Sequence, residues 1–346
     1  MISPRSFSKE WIRQVTSAGQ DPLLVEKMIM SFVLVESLQK SGLNFLFKGG
    51  TSLSLVTGSL RRFSIDVDII VPPTQDLDPF INQIVGQGIF TRMEEDERTG
   101  NLPVRHYKFY FSSAQDEERS ILLGVLFDNH SYPKTIKAEI KSPLLAIDGS
   151  PTLVVCPNTE CLLGDKLTAF APHTTGVQYN KKKDLEIAKQ LYDIAVLFDL
   201  SVDMDIVFDV HKKIVAKELS YRDLKDLSVA DVLEDTFLTA CMIGGYGMVG
   251  ESKEYAEIIS GVTKLRGYIT SEVYVQEDSI ISASKVAYLA ALAMTGTTSV
   301  TRFDKTVNLS SFLIANPIFN KLNKLKRLNF ESFHYYFQAL KVLGWL

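Results

Sequence analysis

The stretch FKGGTSLSLVTGSLRRFSIDVDII, Phe47 to Ile70, sets a double glycine before a hydroxyl residue, continues as an amphipathic run, and ends in an apolar segment carrying Asp66 and Asp68. Alternate residues of a strand face the same way, about 6–7 Å apart. Asp66 and Asp68 are therefore expected to project together, buried side by side, while Ile65, Val67 and Ile69 turn to the core. Two carboxylates that close repel one another, and desolvating them is costly. A divalent cation resolves the conflict, because hard Mg²⁺ takes oxygen ligands and keeps positions for water and for substrate phosphates. The competing reading is an edge strand that shows both aspartates to water. Upstream, Gly49 and Gly50 leave a strand and open a helix, where backbone N–H groups can approach a phosphate and Thr51 can offer a hydroxyl. A plain strand-to-helix turn would look the same.

Outward from this stretch, helix and strand signals alternate. Asp21 can cap a helix that begins at Pro22 and is closed by Gly42, and LNFLFKGG reads as a short strand entering a tight turn. FSIDVDIIVP stops at Pro72-Pro73, and DPFINQIVGQG is a helix with an Asp-Pro start. Three strand-like runs follow, VRHYKFYFSS, SILLGVLFDNH and TLVVCPN, the first two joined by a charged hairpin, SAQDEERS. Asp128 ends the second run. It is a third carboxylate if that strand lies beside the first, and otherwise a turn cap.

After Pro157 the pattern changes to long amphipathic helices. The predicted organisation is an α/β domain over 1–157, a mixed sheet flanked by helices, and a mainly α-helical domain over 158–346. Lys166, among Leu162, Leu163, Leu167 and Phe170, is either a snorkelling surface lysine or a phosphate ligand in a cleft. Lys189 and Asp193 stand at i and i+4, the spacing of a helix ion pair. Residues Ala169 to Asp184, AFAPHTTGVQYNKKKD, are the least patterned and predict a mobile basic loop.

Composition narrows the classes. At 346 residues two domains are expected, and a net charge of −4 argues against coating nucleic acid by bulk charge, though not against a local basic site. Cys156, Cys161 and Cys241 complete neither a zinc site nor a disulfide framework, which suits a reducing cytoplasm. The first residues hold no apolar signal segment, and VAYLAALAM, Val286 to Met294, is about half a membrane span. A soluble, cytoplasmic protein with no membrane contact is expected.

Four motifs then occur in one order: KGGTSL, RRFSIDVDI, LLGDKLTA and AKQLYDIAVL. Together they resemble the AbiEii/AbiGii-type toxin nucleotidyltransferases of the DNA polymerase β-like superfamily, with the related MenT-type toxins, over roughly residues 40–200. The resemblance implies that Gly49, Gly50, Thr51 and Ser64 bind the nucleotide with Lys166. It implies that Asp66 and Asp68, with Asp128, bind Mg²⁺ or Mn²⁺, and that Asp66, Asp68, Lys166 and Asp193 are catalytic, with Gln190 one helical turn before Asp193. It further implies a nucleoside triphosphate substrate, an RNA acceptor such as the tRNA 3′ end, and a winged-helix antitoxin encoded nearby in a toxin–antitoxin or abortive-infection system of phage defence. Arg61, Arg62 and the Lys181–Lys183 run are candidates for a basic rim along which the acceptor approaches, against an ordinary solvated loop for the lysines. Two other readings stand beside it: transfer to a small molecule or protein, and a non-catalytic nucleotide-binding module.

Overall fold

A computed structural model describes residues 1–96, 103–115 and 117–346, so that Asp116 of the expected hairpin lies outside the described residues. The chain divides into two compact units, Met1–Asn158 with Gly267–Glu272, and Thr159–Arg266 with Val273–Leu346.

The first unit carries helices α1 (Lys9–Val15), α2 (Pro22–Lys40), α3 (Gly49–Val56) and α4 (Asp78–Gly86). Its strands are β1 (Leu46–Lys48), β2 (Val67–Val71), β3 (Arg92–Glu95), β4 (Val104–Ser112), β5 (Glu118–Phe127), β6 (Thr135–Glu139) and β7 (Leu153–Pro157). Among the described residues five strands form a mixed sheet ordered β1-β2-β5-β4-β3, with β2 parallel to β5 and the other pairs antiparallel, while β6 and β7 make a separate ribbon. This is the mixed sheet flanked by helices that the sequence predicts. α2 starts where Asp21 accepts the Leu23 N–H and Pro22 occupies the first turn, and it is buried almost all round. Its Val25, Phe32 and Val35 pack in one core with Phe47, Val67, Ile69, Val71, Leu123 and Val125 of the sheet.

Strand β2 begins only at Val67, so Phe63 to Asp66 of the expected strand precede it. Asp66 precedes it and is exposed, Ile65 is only half-buried, and Asp68 is half-buried on the face opposite Val67 and Ile69. The expected buried pair of aspartates is thus one exposed and one half-buried carboxylate. Strands β3 and β6 escape the sequence reading, because RMEE carries one apolar residue and the alternation of TIKAE rests on Ile136 and Ala138 alone.

The second unit is helical: α5 (Thr159–Ala169), α6 (Asp184–Leu200), α7 (Met204–Tyr221), α8 (Val229–Gly244), α9 (Ser252–Leu265), α10 (Gln276–Thr295), the single turn α11 (Leu325–Leu328) and α12 (Phe330–Leu343). Residues Val286 to Leu292 of α10 are at most 1% exposed, so the apolar run is a core helix. Among the described residues no helix is long and apolar enough to cross a membrane. The segment 169–184, expected as a mobile loop, is tied down: the N–H of His173 and the hydroxyl of Thr174 both donate to Asp235 of α8, and the Asn180 N–H donates to Glu257 of α9.

Helices α5 and α7 meet closely at Gly164, where a Cβ would stand 2.5 Å from the Val207 carbonyl oxygen. Beside it His211 is 1% exposed, and burial pushes its pKa down to about 4, slightly offset by the Gly164 backbone. The folded protein therefore binds fewer protons than the unfolded chain below pH 6.5, and this imidazole lowers stability progressively as pH falls from 6.5 to about 4. The full difference is about 3 kcal/mol. Urea unfolding of the wild type and of His211→Leu should show the gap between them moving in favour of the variant by about that amount between pH 7 and pH 4. An unchanged gap would mean that the ring is charged in the fold.

Candidate active site

β1 delivers Lys48 to the sheet face and ends at once in Gly49, whose φ of +80° few other residues tolerate. Across the sheet Lys48 pairs with Asp68, Asp68 with Gly124, and Gly124 with His106, so four positions on β1, β2, β5 and β4 form one row. Directly paired residues project to the same face. The Asp68 carboxylate has room in that row because the two residues closest to its oxygens, Gly124 and Gly49, lack side chains. A Cβ on Gly124 would lie 2.8 Å from Asp68 Oδ1, and one on Gly49 would collide with Asp68 Oδ2. Lys48, Gly124 and His106 were not singled out by the sequence, although Lys48 heads the opening motif. Only the strand pairing brings the other two to Asp68.

Asp66 is placed by hydrogen bonds from outside the sheet. The Thr51 hydroxyl donates to the Asp66 carbonyl at 2.6 Å, and the Ser31 hydroxyl donates to the Ile65 carbonyl at 2.7 Å. On the other side the segment 267–272 pairs with residues just before the aspartates: Phe63 N–H donates to Tyr268 O, and Thr270 N–H to Arg61 O. Thr51 is completely buried, and its hydroxyl proton goes to the backbone of Asp66. That hydroxyl therefore holds the aspartate segment.

Two further expectations change. Arg62 was expected on a basic rim, but it is 7% exposed and donates from Nη1 to the Phe63 carbonyl. Its Nη2 and Ser64 Oγ each lie 2.7 Å from where a Cβ on Gly50 would be, so both side chains converge over the glycine turn. Asp128 does follow a strand beside β2, but the register sets Val71 against Phe127, which puts Asp128 beyond the far end. At about 3.3 Å per residue it stands some 13 Å along the sheet from Asp68. Its N–H donates to the Val71 carbonyl and its Oδ1 accepts the Asn129 N–H, as a turn residue does. Asp128 is not a third carboxylate of this site.

In the helical unit, Lys166 on α5 reaches α6, with Nζ 3.0 Å from Asp193 Oδ2 and 3.0 Å from Gln190 Oε1. The Asp193 side chain is 1% exposed. Lys189, which the helix spacing would pair with Asp193, bonds Glu186 at 2.9 Å. Long-range packing of α5 on α6 overrides the local i,i+4 geometry.

The model of the AbiEii toxin family, a nucleotidyl transferase of type IV toxin–antitoxin systems, matches residues 33–240, more than half of the chain. The chain belongs to that family. It is a nucleotidyltransferase toxin, and its family implies a nucleoside triphosphate substrate and an antitoxin partner. Among solved structures it is similar to the MenT4 nucleotidyltransferase toxin of Mycobacterium tuberculosis H37Rv, at 15% identity over 90% of this chain and 94% of that one, with a TM-score of 0.48. It is also similar to an antigenic nucleotidyltransferase-like protein of Paracoccidioides brasiliensis, at 17% identity over 58% of this chain and 91% of that one, with a TM-score of 0.37. At such scores neither likeness carries an argument. No curated protein matches the sequence.

Two outcomes follow for this nucleotidyltransferase. Gly124→Ala forces the Asp68 carboxylate aside, and initial-rate assays should show nucleotidyl transfer reduced by about a hundredfold, while overpacking lowers stability by only about 1–3 kcal/mol. Lys166→Met leaves Asp193 buried without its cation and should lower the urea-unfolding free energy by about 3–5 kcal/mol. The double variant Lys166→Met/Asp193→Leu should regain much of that stability and none of the activity.

Proposed function

We propose that the protein transfers a nucleoside monophosphate from a nucleoside triphosphate to an RNA hydroxyl, the 3′ end of tRNA, and thereby blocks translation. The observation that carries this reading is the row of Lys48, Asp68 and His106 beside the Gly49-Gly50 turn, with Asp66 tethered next to it. That arrangement offers carboxylates for a cation, and N–H groups and cations for phosphates, without a nucleophile or acyl-transfer constellation. In the reaction the acceptor oxygen bonds to the α-phosphorus, the bond to the pyrophosphate oxygen breaks, and the hydroxyl proton leaves to a base.

The donor set fits a hard divalent ion. Asp66 and Asp68 supply carboxylate oxygens, and the missing side chains at Gly49 and Gly124 leave room for the Asp68 carboxylate. Among the described residues no cluster of three or more His, Cys, Asp and Glu could hold a metal. Two carboxylates, with water and substrate phosphates completing the shell, are the usual protein share for Mg²⁺. When bound, Mg²⁺ or Mn²⁺ supplies charge neutralisation on the triphosphate. Gly50, Ser64 and Arg62 contact its phosphates, Lys166 neutralises charge that develops there, and Asp193 with Gln190 fixes the lysine. The antitoxin is a winged-helix protein encoded beside the toxin, and the pair acts in the cytoplasm as an abortive-infection defence against phage.

Incubation of the purified protein with each α-labelled triphosphate, Mg²⁺ and total tRNA tests the reading. Label is expected in RNA from one preferred triphosphate, and Asp66→Ala and Asp68→Ala should each reduce it at least about a thousandfold, the scale of lost electrostatic stabilisation. Label confined to protein or to a small molecule sinks the RNA acceptor and leaves the nucleotidyltransferase intact.

A further inference from the structure

The ordered segment between α5 and α6 borders a cavity of about 560 Å³ that belongs wholly to the helical unit. Its wall combines three cationic side chains, Lys181, Lys183 and Arg222, with Asp165, Gln178 and Glu218. That volume lies within the usual range for a small-ligand site. The lining mixes both charges with an amide: the cations suit phosphate, and the carboxylates and amide can meet base amino groups and ribose hydroxyls.

The cations are held by a built loop. Thr174 and Thr175 are buried, the Thr175 hydroxyl donates to the Thr168 carbonyl, and Asp235 takes the Thr174 hydroxyl. The ring nitrogens of His173 lie 2.9 Å from Asp235 and 2.8 Å from Glu254, which ties the loop to α8 and α9. Asn180 and Lys182 have φ of +61° and +56°, a left-handed conformation that non-glycine residues adopt only when their surroundings impose it. This backbone places Lys181 and Lys183, on either side of Lys182, along one cavity wall. The Asn180 N–H is fixed by the Glu257 carboxylate, so the turn is anchored where it is strained. Arg222, at the end of α7, completes the wall, bonded to Glu218 at 3.3 Å and to the Gly176 carbonyl at 3.4 Å. Gly176 is needed there, since a Cβ would stand 2.5 Å from the Ala171 backbone nitrogen. Asp165 brings the cavity next to Lys166 in sequence, but Lys166 itself turns to α6.

We infer that this cavity seats one nucleotide of the acceptor RNA, with its backbone phosphate on Lys181, Lys183 and Arg222 and its sugar or base edge on Asp165, Gln178 and Glu218. The inference rests on the reading of RNA as acceptor and gives that acceptor a second point of attachment, distinct from the residues assigned to the triphosphate. A local cationic site supplies affinity that a toxin with an overall charge of −4 needs, because bulk attraction for RNA is absent.

The test uses the full chain with total tRNA and the preferred triphosphate. In the triple variant Lys181→Ala/Lys183→Ala/Arg222→Gln, the KM for tRNA should rise by about tenfold or more, while the KM for the triphosphate stays within about twofold. Filter binding of tRNA without triphosphate should lose about 0.7 units of salt slope, the value expected when the contact to one single-stranded phosphate is removed. The double variant Lys181→Ala/Lys183→Ala changes only exposed side chains and keeps the test decisive if loss of Arg222 unsettles the loop. An unchanged tRNA KM and salt slope in either folded variant, with wild type still labelling RNA, overturns the cavity assignment alone. A rise confined to the triphosphate KM overturns it too, and makes the cavity part of the donor site. Wild-type protein that never labels RNA overturns the acceptor reading and this inference with it.

Discussion

The Asp68 carboxylate, on an inner strand, has room only because the two residues closest to its oxygens lack side chains. On β5 the residue level with it is Gly124, and at the end of β1 the residue against its other oxygen is Gly49. Neither choice is free of cost. Glycine inside a strand is less favourable than alanine by about 0.5–1 kcal/mol, and the left-handed backbone at Gly49 fixes where α3 can begin. In return the carboxylate stands between Lys48 and His106, one permanent cation and one group that can become cationic, instead of among apolar side chains. The sheet register, the start of α3 and the order β1-β2-β5-β4 all follow from making that one space.

Asp66 depends on a different device. It lies outside β2, where no ladder fixes the backbone, and its position comes from single hydrogen bonds supplied by α2, by α3 and by the segment 267–272. The last of these is far away in sequence: the Thr270 hydroxyl bonds the carbonyl of Leu60, 210 residues earlier. Closing so long a loop carries an entropy cost before any contact rewards it. A strand-like segment with irregular tethers also has more latitude than a ladder, which suits the more exposed of the two carboxylates.

How much of this was legible follows from the range of each interaction. The strand-turn-helix at Gly49, the cap at Asp21 and the long helices after Pro157 announce themselves within a few residues, and they form where the sequence puts them. The mixed sheet was legible from alternating runs, but its register was not. That is why Asp128 could be suspected as a ligand and Gly124, four residues earlier and without a side chain, could not be noticed. Arg62 reads as a surface cation next to Arg61. Only the folded turn shows it over Gly50. The short strands β3 and β6 offer only one and two apolar residues to read, and the segment 169–184 lacks pattern because its order comes from Asp235, Glu254 and Glu257, more than 50 residues downstream in α8 and α9.

The pair formed by Lys166 and Asp193 shows why stability is a poor guide to what a site residue does. With Asp193 1% exposed and Lys166 12% exposed, both charges have lost most of their hydration, and their attraction does little more than return it. Two apolar residues of similar volume would hold α5 to α6 equally well. What they could not provide is an ammonium group held in one direction. Lys166 has three N–H donors, of which Gln190 and Asp193 accept two, and the geometry of an ammonium fixes where the third points once two are placed. That direction is fixed in advance, so the third N–H needs no reorganisation to meet an acceptor. The amide of Gln190 thereby contributes what a lone carboxylate could not. A single acceptor would leave the ammonium group free to rotate about one bond, whereas two acceptors fix its orientation.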